Sequence, residues 1–149
     1  MPGIRSSVVC AFISIFFVSK YVCETKGREL ELKPLSVVVL DAGGHLKAFE
    51  REDGASPGRF AIAQGKAYGA VMLGMAGTAQ MARAESQAYF MAAVNGAYQG
   101  QVIPVPGGVL VRNGHGAIVG AVGVTGDTSD NDAAAAVAGI EAAGYTPEI

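Results

Sequence analysis

Leu35-Ser36-Val37-Val38-Val39-Leu40-Asp41-Ala42-Gly43-Gly44-His45-Leu46 is the stretch that decides the fold. Its first six residues are apolar at every position but one and rich in β-branched side chains. Such a run reads as a central strand buried on both faces, because branching at Cβ suits a pleated surface. Asp41-Ala42-Gly43-Gly44 is a turn signal, and His45 to Arg51 reads as the strand that returns from it. Two strands joined by so short a turn are antiparallel, so the sheet is expected to grow by hairpins with helices packed on its faces, an α+β class.

Downstream, Glu52 to Pro57 is loop, with a second turn at Asp53-Gly54. Pro57 stands where a helix can begin, since its missing N–H costs nothing in a first turn. Phe60, Ala63, Ala67, Ala70, Val71 and Gly74 then recur at helical spacing and should face the sheet, with Gly74 and Gly77 ending the helix. A further helix is expected over Ala82 to Tyr98, stopped by Gly100. Val102 to Val105 and Val109 to Arg112 read as short strands around Pro106-Gly107-Gly108. Asn113-Gly114 marks a hairpin turn into a strand over Ala117 to Val124, and Ala133 to Ala143 reads as an Ala-rich closing helix.

Upstream, Lys26 to Lys33 is a polar connector. Before it, Arg5 precedes an apolar run from Val8 to Val18 that is too short to span a bilayer. The run fits either a buried first helix from about Ser7 to Glu24 or the apolar region of a signal peptide. The lack of small residues at a cleavage position favours the helix and a cytoplasmic protein; a signal would make it an exported one. Residues 1–25 are accordingly set apart as an atypical segment, with the domain proper over 26–149.

At 149 residues, half of them hydrophobic and 16% charged, the chain suits a single folded domain. A net charge of −2 supplies no basic stripe for nucleic acid. Cys10 and Cys23 lack metal-ligand spacing and read as ordinary apolar residues. No nucleophile elbow, HExxH helix or cysteine–histidine pairing is visible, so nothing marks the chain as an enzyme.

His45 follows a double glycine, where the backbone is bare and an imidazole can project; it is either a metal or haem ligand or a plain turn residue. His115, in Asn113-Gly114-His115-Gly116, reads as a solvated turn residue. Asp127, Asp130 and Asp132 do not follow the calcium-loop pattern and instead precede a helix, where carboxylates cap free N–H groups. Met72, Met75, Met81 and Met91 are gap-fillers, although a thioether can bind haem iron. Arg51, Asp53, Arg59 and Lys66 form a polar cluster whose cations would pair with a ligand carboxylate or simply with surface acids. Gly107-Gly108 could expose backbone amides to such a ligand or only bend the chain.

From about residue 33 onward the chain resembles the GlcG/HbpS-like family of small haem-binding proteins, which also takes in the C-terminal domain of PduO adenosyltransferases. The resemblance is carried by Leu40-Asp41-Ala42-Gly43-Gly44-His45-Leu46, Arg51-Glu52-Asp53-Gly54-Ala55 and Ala63-Gln64-Gly65-Lys66-Ala67. Pro104-Val105-Pro106-Gly107-Gly108-Val109 and the stretch from Gly120 to Asp132 complete it, in the same order. It implies a profilin-like three-layer α/β/α domain with an antiparallel sheet of about five strands, assembled as a homodimer or larger homo-oligomer. It also implies a tetrapyrrole, haem, as ligand: His45 would be the axial ligand, Arg51, Arg59 and Lys66 the propionate partners, and Gly107 and Gly108 the pocket lining. The alternative it leaves is an accessory protein or enzyme of glycolate- or diol-type hydroxy-acid metabolism that binds a carboxylate through Lys66, Arg51 and Asp53. Two departures stand out: residues 1–25 are unlike the Ala-rich first helix of the family, and Leu110 occupies a position where some relatives carry proline.

Overall fold

A computed structural model describes residues 17–149 of the chain. The helix entering at residue 17 becomes π-wound over α1 (Tyr21–Lys26) and runs into a single turn, α2 (Gly27–Glu29). Then follow β1 (Ser36–Asp41), β2 (Leu46–Arg51), α3 (Arg59–Leu73), α4 (Gly77–Ser86), α5 (Ala88–Ala97), β3 (Gly108–Arg112), β4 (Ile118–Thr125), α6 (Ser129–Ala142) and β5 (Thr146–Glu148). The strands form one open antiparallel sheet in the order β2-β1-β4-β3-β5. This is the α+β class expected from the hairpin signals.

The sheet is covered on both faces. Alternation along β1 sends Val37 and Val39 to one side, where they meet Val22, Ala135, Ala136 and Ile140 of α1 and α6. Val38 and Leu40 point the other way, to Ala63, Ala67 and Ala70 of α3. β1 is therefore buried on both faces, as its unbroken apolar run demands.

Small residues set how closely the helices sit. Gly108 and Gly123 are directly paired between β3 and β4 beneath α3. A Cβ on Gly123 would run into the Ala63 carbonyl, and one on Gly108 into the Lys66 carbonyl. α3 thus rests almost backbone to backbone on the sheet. On the opposite face Gly139 of α6 admits Val18 and Val22 in the same way. α3 ends at Gly74, whose φ of 60° is the left-handed cap that glycine takes without strain.

Five elements differ from expectation. The helix expected over 82–98 begins earlier and is two helices: Gln87, at φ −140° and ψ 62°, leaves the helical region. Its N–H closes α4 on the Arg83 carbonyl while its own carbonyl accepts from Phe90 and Met91 to start α5. Val102 to Val105 is not a strand, because its donors go elsewhere: Val102 N–H to Asn95 Oδ1 and Ile103 N–H to the Gly65 carbonyl. α6 starts at Ser129, capped by Thr128, whose hydroxyl accepts from the Asn131 amide. β5 carried no strand signal; it pairs with β3, and Arg112 binds Glu148 across that edge. The first helix continues through Glu29, past the start of the expected connector. Most of the helix expected over 7–24, and Cys10 with it, lies outside the described residues.

Candidate functional site: an open groove between the edge strand and the third helix

The β1–β2 turn is organised by Asp41. Its Oδ1 accepts the amides of Gly43 at 2.9 Å and His45 at 3.0 Å, and lies 3.2 Å from His45 Nδ1. Partial burial pushes the Asp41 carboxyl upward, but the His45 and Gly43 amides and the imidazole outweigh it and hold the group below its ordinary value. An ionised carboxylate only accepts, so the Asp41-facing nitrogen is the one that carries the proton. In the neutral imidazole that tautomer leaves the Nε2 lone pair available, on a side chain 80% exposed. This carboxylate–imidazole arrangement is the one that orients histidines as metal ligands. Gly44, at φ 81°, lets the turn close over α3, against Tyr68 and Met72.

From that turn an apolar strip runs along β2. The register places Leu46 opposite Leu40, Phe49 opposite Val38 and Arg51 opposite Ser36, all on the α3 side of the sheet. An irregularity at Lys47 keeps Leu46 and Phe49 on one face, and Lys47 Nζ stands 3.6 Å from Asp41 Oδ2. Leu46 is 47% exposed and Phe49 42%, unusual for large apolar side chains. Phe49 meets Phe60 of α3 edge to face at 4.7 Å, which walls the strip on the helix side. From Leu46 to Arg51 the strand advances about 16 Å. At the far end Arg59 reaches from the first turn of α3 to Thr125 Oγ1, 2.8 Å away, and Arg51 has no ion pair among the described residues. The exposed strip on β2 thus has an imidazole at one end, Arg51 at the other and apolar surface between, while Arg59 is held over β4 at Thr125.

Lys66, Gly107 and Gly108 are not on this groove. Lys66, expected as an open cation, is 2% exposed, with its ammonium 3.0 Å from Asp132 Oδ2 and 3.0 Å from the Val124 carbonyl. Burial pulls the ammonium down and the Asp132 carboxyl up, and each partner opposes the other's shift. Gly107, at φ 110°, leaves room for that ammonium, and Gly108 lies under the α3 backbone. All three are taken up in seating α3 on the sheet, because the helix approaches too closely to leave space between. Asp53 is exposed and apart from Lys66, so the carboxylate cluster expected of Lys66, Arg51 and Asp53 does not assemble. Asp132 also accepts the Asp127 amide, while Asp127 accepts from the Lys33 and Thr128 amides and from Asn131 Nδ2. The cap of α6 is therefore Thr128 and not these carboxylates: Asp127 ties the preceding loop to Lys33, and Asp132 serves the buried pair with Lys66. His115 is an exposed turn residue whose amide is bound by Asn113. Among the described residues no group of three or more His, Cys, Asp or Glu side chains is arranged to hold a metal ion.

The sequence reading missed Asp41 and Asp132 as partners. Asp41 carried a signal, since an Asp two residues before glycine in a turn commonly binds the following amides. Asp132 carried none, because 66 residues separate it from Lys66.

With this geometry in place the chain can be set beside known proteins. A family model described as haem degrading protein HbpS-like matches residues 22–141. The chain belongs to the HbpS-like family. Among solved structures, a PduOC:heme complex has the same fold, with a TM-score of 0.79 and 22% identity, covering 90% of this chain and 94% of that one. Klebsiella pneumoniae protein ORFY gives 0.78 and 23%, covering 89% of each chain. A double mutant of Streptomyces reticuli HbpS gives 0.73 and 24%, covering 88% and 84%. No curated protein sequence matches the chain. At these identities the HbpS-like structures establish the fold. No helix among the described residues is long and apolar enough to cross a membrane.

Proposed function

We propose that this chain is a non-enzymatic haem-binding protein that holds the tetrapyrrole in the open groove along β2 and α3. The observation that carries the reading is the outward Nε2 of His45, oriented by Asp41 at the head of an exposed apolar strip. Family membership and a relative in complex with heme support the choice of ligand. In this reading His45 is the axial ligand, and Leu46, Phe49 and Phe60 lie against the porphyrin. Arg51 and Arg59 pair with the propionates. Lys66, Gly107 and Gly108 act from behind by fixing α3. Haem, when bound, supplies the iron and the chromophore; the protein supplies one nitrogen ligand, an apolar face and two cations.

The groove covers one face of a planar ligand, so a second copy of the chain is the natural cover for the rest, and we place it on α5. Only Met91 of that apolar helix is buried, while Tyr89 is 75% exposed and Phe90 37%. The alternative reading, a carboxylate-binding accessory protein of hydroxy-acid metabolism, loses its expected cluster because Lys66 is committed to Asp132.

Replacing His45 with Ala tests the ligand assignment. Loss or a marked shift of the Soret band relative to the parent protein is expected, and an unchanged spectrum removes His45 from the site.

A further inference from the structure

On the face of the sheet away from the β2 strip, a cavity of about 250 Å³ lies between the strands and the α1–α6 layer. Val39, Val111 and Val122 floor it, and Val18 and Ile140 close it from the helix side. All five are buried. Gly120 brings no side chain to this space, because a Cβ there would run into the Leu40 carbonyl. Close-packed interiors leave few voids larger than a water molecule. A cavity of roughly 150 Å³ lined by such aliphatic side chains holds benzene, so this one has room for a ring with a short substituent.

The mouth lies beside the β3–β4 hairpin, where the lining residues Asn113, Val119 and Tyr145 are the more exposed ones. Asn113 Oδ1 accepts the amides of His115 at 2.9 Å and Ala117 at 3.0 Å, which leaves the hydrogens of Nδ2 to donate. The Tyr145 hydroxyl makes no hydrogen bond among the described residues. None of the described residues that line the cavity is charged. An ionised ligand would lose its hydration here without a counter-charge, whereas a neutral acceptor meets two donors.

We propose that this cavity binds a small neutral carbonyl compound about as large as a substituted benzene. Its ring lies among the valines, and its carbonyl oxygen accepts from Tyr145 and Asn113. The site is independent of the haem reading, because the sheet separates it from the strip on β2.

The test is a titration of the full chain with acetophenone, followed by side-chain methyl and amide shifts. Ethylbenzene serves as the control that lacks an acceptor, and benzoate as the one that carries a charge. Saturable shifts at Val39, Val111, Val122 and Asn113 are expected with acetophenone. Ethylbenzene should bind about 3- to 10-fold more weakly, the range for a neutral hydrogen bond, and benzoate more weakly still. Tyr145→Phe removes a donor and keeps the shape of the cavity. It should weaken acetophenone by about 3-fold or more and leave ethylbenzene unchanged. Val111→Ile combined with Val122→Ile adds two methyl groups to the space. This double variant should hold or raise the melting temperature and weaken acetophenone by about 10-fold or more. Tyr145→Phe adds no bulk, so its result stands whatever the double variant does to stability. Shifts confined to the α3 side of the sheet, or benzoate bound as tightly as acetophenone, would overturn the site. So would an acetophenone titration that does not saturate, or a Tyr145→Phe protein that binds acetophenone like the parent.

Discussion

Lys66 and Asp132 show how much a single residue's role depends on its partner. Two charges taken from water in one place are tolerated because each satisfies the other and because Val124 and Asp127 supply the remaining bonds. Lys66→Met should therefore cost about 3–5 kcal/mol, since it strands a buried carboxylate. Lys66→Met with Asp132→Leu should recover most of that loss in urea denaturation. A Lys66→Met protein as stable as the parent would mean the pair is not buried as described. Asp127 gives a pH signature of the opposite kind. Hydrogen bonds from the Lys33 amide, Asn131 and the Thr128 amide lower its carboxyl from 3.8 to about 2. A carboxyl whose folded value is depressed adds stability above its unfolded value and loses it on acidification. That contribution should be complete above pH 4 and disappear as the pH falls towards 2. Asp127→Asn should flatten the stability profile in that window, measured as the urea midpoint at each pH. At this scale the turn that carries His45 and the helix start that carries Arg59 were legible, because turn and helix-start chemistry is local. Lys66 was read as a surface cation because nothing local announces a partner 66 residues away.

The seating of α3 shows the same division among elements. Its start near Pro57 and its end at Gly74 were legible, because proline at a first turn and glycine at a C-cap act through their own backbones. The β1–β2 and β3–β4 hairpins were legible for the same reason, through Gly43-Gly44 and Asn113-Gly114. Val102 to Val105 looked equally strand-like and is not one, because α3 and Asn95 take its amides before any neighbouring strand can. β5 was invisible since three residues containing a proline have no strand signature, and its place is fixed by β3 and Arg112. The close approach predicts its own failure mode. Gly123→Ala inserts a methyl into the Ala63 carbonyl and should cost about 1–3 kcal/mol, with the loss visible as a lowered midpoint in thermal melts. A neutral Gly123→Ala would show that α3 has room to lift.

For the whole molecule, two apolar regions are exposed: the strip along β2 and α5. An apolar helix with one buried residue gains little from its own chain, so it should be the contact between copies. Tyr89→Glu should shift the protein to a smaller species in sedimentation velocity without lowering the stability of the single chain. An unchanged sedimentation profile would take α5 out of any assembly. The overall architecture was legible from the order of strands and helices, because layered packing is fixed by which faces are apolar. The exposed strip on β2 was not, since it depends on an irregularity at Lys47 that turns Leu46 and Phe49 to one side. Titration of the purified protein with hemin, followed from the Soret to the visible bands, tests the central claim most directly. A red-shifted Soret that saturates at a fixed ratio of haem to chain is expected, whereas weak, non-saturating uptake would contradict haem binding in the groove.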